Sequence, residues 1–299
     1  MKHKDLCKIF ENGATSDPLD EILYLLDIIA PGINRPLIEE THQEVGRFFS
    51  GSHPNFKPSN TRYHNLTHTY SVALATSRLF HGLHCEGRRF DDDIILQGMI
   101  SAYFHDTGLL LTASDPATTG AEYTINHEER SVSFMNYYLK ERGIDQPFMD
   151  NCAEMINCTN LDLDPSTLNF SSEDQRIAGY TLGSSDILAQ MADRYYLERL
   201  PHLYQEMKAG GINQYSSVIE LMQQTTNFYH HVIINRLESV YKDLQQAMRT
   251  HFRERWDINK NLYMDNIDKN IIYIMQIVQE CEDKITCLAT YLRRTPPSF

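Results

Sequence analysis

Tyr63-His64-Asn65-Leu66-Thr67-His68 opens the stretch of sequence that decides the fold. Between His64 and Phe80 the apolar residues recur at the spacing of one helix face: Leu66, Val72, Ala75 and Leu79. This pattern predicts a helix whose inner face also carries the two histidines. Residues four apart on a helix lie on the same side, about one turn from each other. We therefore expect His64 and His68 to face one cleft.

The neighbouring segments also show helical periodicity, and β-branched runs bounded by hairpin turns are scarce. Amphipathic helices are predicted over Leu19–Ile29 and Pro36–Phe49, and an apolar helix over Ile94–Phe104. Helix start signals support two more: Asn126 as N-cap of a helix to Arg142, and Ser172 as N-cap of a helix that runs past Asp186 toward Tyr195. The sequence predicts an all-α fold, in the form of a helical bundle.

The C-terminal part has a seam of apolar residues in alternating steps of three and four. Its members are Met264, Ile267, Ile271, Ile274, Val278, Cys281, Ile285, Leu288 and Leu292, preceded by a shorter series of Ile233, Leu237, Val240, Leu244 and Ala247. Trp256 to Asn261 offers a break between the two series. This predicts a C-terminal helical hairpin over residues 230–292, whose seam packs within the chain or forms a homodimer interface.

The 299 residues divide into three predicted parts. Residues 1–60 are expected to form an N-terminal helical layer, and residues 61–229 a core that carries the histidine motifs. Residues 230–299 are expected to form the hairpin, which packs on the core or forms an oligomer interface.

Composition limits the class of protein. A formal net charge of −13 argues against a nucleic-acid binder, because affinity for the phosphate backbone depends on Lys and Arg clusters. No apolar segment approaches the roughly 20 residues needed to span a bilayer. The six cysteines form no Cys-x-x-Cys pair, so we expect reduced thiols. These features predict a cytoplasmic protein without a membrane partner.

Four side chains suit a metal site: His68, His105, Asp106 and Asp186. Two neutral imidazoles and two carboxylates would leave a divalent ion formally neutral, with open positions for water and substrate. Imidazole and carboxylate ligands fit manganese, iron, magnesium or zinc, and one or two ions per chain remain open. Open positions favour catalysis, with Asp106 in the catalytic set and His64 free to act as a general acid.

These motifs resemble the HD-domain superfamily of metal-dependent phosphohydrolases over roughly residues 61–240. The stretch from Tyr63 to His68 further resembles the cyclic-nucleotide phosphodiesterase branch, which implies that His64 is the proton donor and His68 a ligand. Thr107-Gly108-Leu109-Leu110 departs from that branch, which has a histidine and a proline-glycine there. That branch also holds the purine with a glutamine and, three residues later, a phenylalanine. Here Gln224 lies four residues before Phe228, one residue out of register.

The segment Asn126-His127-Glu128 resembles a segment of the same hydrolases that lies around the metal ligands without being one of them. The resemblance implies that His127 binds substrate phosphate, holds a bridging water or supports a second metal that shares Asp106. Arg130 is close in sequence and is expected to help with phosphate. Arg194 and Tyr195, about two helical turns past Asp186, are expected at the mouth of the same cleft.

The leading prediction is hydrolysis of a phosphoester by metal-activated water. The substrate is a small phosphorylated molecule, with a cyclic nucleotide and other nucleotide-like compounds both open. Two alternatives belong to other classes: a non-catalytic module that senses a nucleotide, and a di-iron oxygenase on the same scaffold.

Overall fold

The computed structural model describes residues 17–281 and 284–294 of the chain. Within these residues the secondary structure is helical, and the one isolated bridge pairs Phe56 with Thr112. The α-helices are α1 (Leu19–Ile29), α2 (Arg35–Ser50), α3 (Leu66–Cys85), α4 (Asp92–Phe104), α5 (His127–Lys140), α6 (Gln146–Asn157), α7 (Glu173–Met191), α8 (Tyr196–Ala209), α9 (Val218–Phe228), α10 (Ala247–Trp256), α11 (Leu262–Cys281) and α12 (Ile285–Tyr291). The all-α helical bundle predicted from the sequence is confirmed.

Helix α3 is the centre of the bundle. Helices α1, α4, α7 and α10 pack around it, so its side chains from Val72 to Leu83 are all buried. At Gly82 the backbone of α10 comes so close that an added Cβ would lie 2.0 Å from the Ala247 carbonyl oxygen. This burial fixes the direction of α3, and with it the position of His68 in the first turn.

Capping residues define where the motif-bearing helices begin. The Asn65 side chain accepts a hydrogen bond from the His68 N–H at 3.1 Å, so α3 begins at Leu66 and not at His64 as predicted. Ser172 caps α7 as predicted, accepting from the Gln175 N–H at 3.1 Å. Asn126 precedes α5, but its side chain does not cap that helix.

A capping box is found earlier, at the short 3₁₀ helix Gly120–Asn126 that leads into α5. The Thr119 side chain accepts from the Ala121 N–H at 3.4 Å, and Glu122 accepts from the Thr119 N–H at 3.1 Å. The chain therefore enters α5 from a helical turn that is already capped.

Helices α10 and α11 follow each other near the C-terminal end, and α10 is shorter than the first arm of the predicted hairpin, which stays a prediction. Residues 229–240 continue from α9 as two π-helical turns, and the chain then reverses at Lys242 and Asp243, whose φ angles are 55° and 60°. The predicted break after Trp256 is present at Asp257. The apolar seam of α11 is buried against α9 and α7, through Ile267, Ile271 and Ile274. The seam packs within the chain, and a homodimer stays a prediction.

Two cysteines depart from the expectation of reduced thiols. Cys281 and Cys287 form a disulfide that joins the end of α11 to α12. Cys85, Cys152 and Cys158 are free, and Cys7 lies outside the described residues. The expectation was wrong for this pair because five residues of sequence separate the two cysteines, a spacing without a metal-site or redox signature.

One cluster of buried apolar side chains runs through all three predicted parts, from Ile22 in α1 to Leu288 in α12. The described part of the N-terminal layer, α1 and α2, packs on α3 and α4. The boundaries at residues 60 and 229 stay predictions. No helix in the described ranges combines the length and apolarity that a membrane crossing requires.

Candidate metal centre

The structure brings the four predicted metal ligands together from three helices. His68 lies in the first turn of α3, His105 and Asp106 directly follow α4, and Asp186 lies in α7. His68 Nε2 is 3.0 Å from Asp186 Oδ1 and 3.4 Å from Asp106 Oδ2. His105 Nε2 is 3.3 Å from Asp106 Oδ2 and 3.6 Å from Asp186 Oδ1. We call His68, His105, Asp106 and Asp186 the ligand cluster.

The ligand cluster fits a divalent cation. Ligand atoms about 2.1 Å from a common ion are about 3.0 Å apart in an octahedral arrangement and about 3.4 Å apart in a tetrahedral one. His68, His105 and Asp106 form a buried group with converging ligand atoms. Asp106 Oδ2 and Asp186 Oδ1 are buried and form no hydrogen bond, although the Nε2 atoms of His68 and His105 lie 3.0–3.6 Å away. A cation held between them would satisfy both oxygens.

Hydrogen bonds fix the orientation of the His105 ring. Its Nδ1 donates to the Ala102 carbonyl at 2.9 Å, so the lone pair for a cation is on Nε2. The Ser131 hydroxyl donates to the His105 carbonyl at 2.7 Å and accepts from the Gly108 N–H at 2.8 Å. Helix α5 thus clamps the turn that carries the His-Asp pair.

The imidazoles and carboxylates of the ligand cluster shift each other's pKa. Burial disfavours the charged form of His105, but the attraction of Asp106 and Asp186 outweighs it and raises the pKa of His105 to about 9. For Asp106 burial acts in the opposite direction, and the neighbouring imidazoles hold the pKa of its carboxyl well below the usual range. The Asp106 carboxylate is therefore held ionised, and a cation that binds to Nε2 of His105 would displace the proton of the imidazolium.

His64 lies just before α3, in a bend, and not on the helix face where the sequence pattern placed it. It nevertheless faces the same cleft, because its ring centroid is 6.0 Å from that of His68 and 6.4 Å from that of His127. The bend replaces the helical turn as the feature that brings His64 to the ligand cluster.

Glu206 in α8 holds His64 in place. Its Oε2 accepts a hydrogen bond from His64 Nδ1 at 2.8 Å, and its Oε1 accepts from the N–H groups of Arg62 and Tyr63 at 2.6 and 2.7 Å. Glu206 is buried, and it anchors both the ring and the backbone of the bend. Sequence reasoning missed Glu206, because it lies 142 residues from His64 and belongs to none of the motifs.

The surroundings of His64 favour its protonated form. Burial would lower the pKa of His64, but the carboxylates of Asp106, Glu206 and Asp186 outweigh it and raise the pKa to about 9. With Nδ1 donating to Glu206, the imidazolium has its second proton on Nε2. That proton is the one available to a molecule bound at the cleft.

His127 also reaches the ligand cluster. Its Nδ1 donates to the Thr124 carbonyl at 2.7 Å, and its Nε2 is 3.5 Å from Asp106 Oδ1. Asp106 thus has one oxygen toward His68 and His105 and the other toward His127. The structure places His127 where it could bind a phosphate, a bridging water or a second cation.

Arg130 lies against the loop that follows the His-Asp pair. Its guanidinium donates to the carbonyls of Gly108 and Leu110 at 2.9 and 3.1 Å, forms a 3.0 Å ion pair with Asp115, and stacks over Tyr123. These contacts brace the loop that follows the His-Asp pair. The Nε and Nη2 groups of Arg130 are thus engaged by the protein itself, and phosphate binding by Arg130 stays a prediction.

Arg194 and Tyr195 lie between α7 and α8, and their place at the mouth of the cleft stays a prediction. The Arg194 guanidinium lies over the Tyr195 ring, 4.9 Å from its centroid, and Arg194 lines a separate cavity. The buried cation beside His68 is Arg199, which forms a 2.7 Å ion pair with Asp193 and lines a small cavity together with His68 and Tyr63. Sequence reasoning missed Arg199, since it lies on α8, which begins only after Tyr195.

No curated protein matches this chain. One family model matches residues 52–265, more than half of the chain, and this range includes the whole ligand cluster together with His64, His127 and Glu206. The chain belongs to the Npun_R2479-like family.

Proposed function

We propose that this protein is a metal-dependent phosphohydrolase that cleaves a phosphoester of a small, nucleotide-like molecule. The observation that carries the proposal is the ligand cluster, in which two buried carboxylate oxygens form no hydrogen bond. His64, whose surroundings favour its protonated form, lies next to this cluster. The resemblance of the Tyr63–His68 and His105-Asp106 motifs to HD-domain phosphohydrolases supports the same reaction class.

His68, His105, Asp106 and Asp186 would hold the divalent ion. Manganese, iron, magnesium and zinc all fit this set of nitrogen and oxygen ligands. When bound, the ion would polarise a phosphoryl oxygen and acidify a water molecule. The two carboxylates would balance the charge of the ion, and the four side chains would fix its position beside the phosphoryl group.

His64 is the proposed general acid. A phosphoester bond breaks when the leaving oxygen departs, and a proton from His64 Nε2 would neutralise that oxygen. A group in this role contributes about a hundredfold to ten-thousandfold in rate. Glu206 is a positioning residue: it fixes the Nδ1 tautomer and the ring orientation, and it keeps the imidazolium charged.

The test uses purified protein with a panel of phosphodiesters and phosphomonoesters, each under Mn²⁺, Mg²⁺, Fe²⁺ and Zn²⁺. Asp106→Ala should lower turnover by about a thousandfold, since metal-ion catalysis is worth several kcal/mol. Asp162→Ala removes an exposed carboxylate elsewhere and should leave turnover unchanged. Unchanged turnover in Asp106→Ala contradicts the proposal, and ligand binding without turnover would favour a nucleotide-sensing module.

A second candidate function has one specific observation in its favour. His127 Nε2 lies 3.5 Å from Asp106 Oδ1, so a second ion could be held between these two residues, as a di-iron oxygenase requires. Iron analysis with oxygen uptake separates the two functions. Two iron ions per chain and iron-dependent oxygen consumption would identify the oxygenase, whereas phosphate release with no oxygen uptake identifies the hydrolase.

A further inference from the structure

Two buried histidines face each other where α10 packs on α3. His81 of α3 is 4% exposed and His251 of α10 is 0% exposed, and their Nδ1 atoms lie 3.3 Å apart. We call these two residues the histidine pair. At a rise of about 1.5 Å per residue, His81 lies about 20 Å further along α3 than His68. The histidine pair is therefore separate from the ligand cluster and takes no part in the proposed hydrolysis.

The hydrogen bond of the histidine pair requires a lone pair on one Nδ1 and a proton on the other. A first proton taken up by the donor ring keeps this bond but adds a buried positive charge. A second proton leaves two N–H groups that face each other without an acceptor. His251 Nε2 is buried and has no hydrogen-bond partner among the described residues, so an N–H there would be unsatisfied. The contact between α3 and α10 thus favours two neutral rings.

The charges around the histidine pair do not offset its burial. The titratable and charged side chains that surround it from α3, α10, α11 and α1 are Arg78, His84, Cys85 and Glu86, then Glu254 and Arg255, then Tyr263, and Glu21. Burial lowers the pKa of His81, and Arg255 lowers it further. Burial together with Arg78 holds the pKa of His251 well below its ordinary value. The acid Glu21 is already paired with Arg255, at 3.1 Å. Both rings are therefore neutral at neutral pH.

The backbone on both sides of α10 is strained. Among the described residues, the positive φ angles outside glycine belong to Lys242 and Asp243, which precede α10, and to Asp257, which follows it. This left-handed conformation is unfavourable for residues that have a Cβ. The packing of α10 on α3, which is close at Gly82, holds the backbone in this form. Release of α10 from α3 would relieve the strain at both ends, which favours opening as a single segment.

We propose that the histidine pair is a pH-sensitive switch: it holds α10 on α3 at neutral pH, and its protonation in mildly acidic solution opens α10. A histidine whose pKa is lower in the closed than in the open state stabilises the closed state fully above the open-state pKa of about 6.5. This stabilisation is lost as the pH falls below that value. Met248 and Phe252 of α10 are fully buried, so opening exposes apolar surface and α10 closes again once the pH rises.

The test is hydrogen–deuterium exchange of the metal-depleted full-length protein, corrected for the intrinsic dependence of exchange on pH. The metal is removed because metal binding itself depends on pH. Between about pH 7.5 and about pH 5.5, the opening equilibrium should rise about tenfold for each histidine that gains a proton on opening, and so up to about a hundredfold for the pair. The amides of α10 should show this increase, and the amides of α4 should not.

His251→Gln keeps a hydrogen-bonding side chain that does not titrate, so the response of α10 to pH should become about tenfold smaller. The matched control is His231→Gln, which changes an exposed histidine in the π-helical turn after α9 and should respond as wild type does. An equal response of α10 in wild type and His251→Gln contradicts the proposed switch. An equal increase of exchange in α10 and α4 also contradicts it, because the whole chain would then be unfolding.

A second measurement needs no variant. NMR spectra of the wild-type imidazole rings report the protonation of each ring against pH. The proposed switch requires that His81 and His251 become protonated in the same pH range in which α10 opens. Protonation of both rings while the α10 amides stay protected would overturn the proposal.

Discussion

Glu206 Oε2 lies 2.8 Å from His64 Nδ1, although 142 residues separate the two in the chain. The same carboxylate accepts the backbone N–H groups of Arg62 and Tyr63. A single buried side chain on α8 therefore sets the position, the tautomer and the charge of a histidine at the edge of the ligand cluster. Any mechanism that uses His64 as an acid depends on Glu206.

Glu206→Gln should lower the rate of phosphoester hydrolysis by about tenfold to a hundredfold, with little change in KM. The amide oxygen can still accept from the backbone, but the amide NH₂ cannot accept from His64 Nδ1. Loss of the carboxylate also lowers the pKa of His64, because Glu206 favours the imidazolium. The alkaline limb of the profile of kcat/KM against pH should therefore move to lower pH.

The matched control for Glu206 is Glu220→Gln. Glu220 also accepts a backbone N–H, from Ser216 at 2.7 Å, but it is only half-buried, at the start of α9. It should have wild-type kinetics. An unchanged alkaline limb in Glu206→Gln would contradict the positioning role, whatever happens to the rate.

Asp186→Asn should abolish the stabilisation of the protein by added Mn²⁺. A ligand at a hundred times its Kd stabilises the native state by about 2.7 kcal/mol, and loss of one carboxylate ligand should remove most of this. The melting temperature is measured against Mn²⁺ concentration. Asp174→Asn is the control, because it changes a half-buried acid in the first turn of the same helix, where Asp174 pairs with Arg88. Equal Mn²⁺ shifts in both variants would rule out Asp186 as a ligand.

Gly108→Ala should disturb the turn after the His-Asp pair. A Cβ at this position would lie 1.9 Å from the His127 carbonyl oxygen, so α5 must move away. We expect a loss of about 1–3 kcal/mol in the free energy of unfolding by urea, together with weaker metal binding. Gly32→Ala meets only the side chain of Asp92, which can rotate, and should cost little. Equal stability of the two variants would contradict the close approach.

Asp115 gives a test by pH. Burial would raise the pKa of Asp115, but hydrogen bonds from Thr112, Arg130 and Tyr123 lower it to about 2. A group with a depressed pKa contributes stability that is fully present above its unfolded pKa of about 4 and is lost as the pH falls toward 2. Asp115→Asn should therefore be less stable than wild type at pH 7, with a difference that shrinks between about pH 4 and 2. A difference that does not vary with pH would contradict this.

Sequence reasoning located the ligand cluster because its signals are local. A helix that stops at His105-Asp106 and a capped helix through Asp186 can be read from periodicity and end residues. The sequence pattern predicts that α3 begins at His64, two residues before its observed start at Leu66. The helix begins later because the Asn65 side chain caps its N-terminus. That shift changes how His64 reaches the cleft, but not that it does.

The contacts that sequence reasoning missed are long-range. Nothing near Glu206 or Arg199 in the sequence distinguishes them from the other charged residues of an amphipathic helix. Lys242 and Asp243 have positive φ angles although neither is a glycine. The sequence therefore has no turn signal at this point, and the apolar series was expected to continue through it without a break. Arg130 was expected to help with phosphate. Its hydrogen bonds to the Gly108 and Leu110 carbonyls could not be predicted, because these carbonyls come together only when the loop has folded.

Asp106 is shared by three histidines, with Oδ2 toward His68 and His105 and Oδ1 toward His127. The energetic effects of changing Asp106 and His127 should consequently not add: once Asp106 is gone, removing His127 should cost much less than it does alone. Each position constrains which substitutions the other can tolerate, so variation at one is expected to be accompanied by variation at the other.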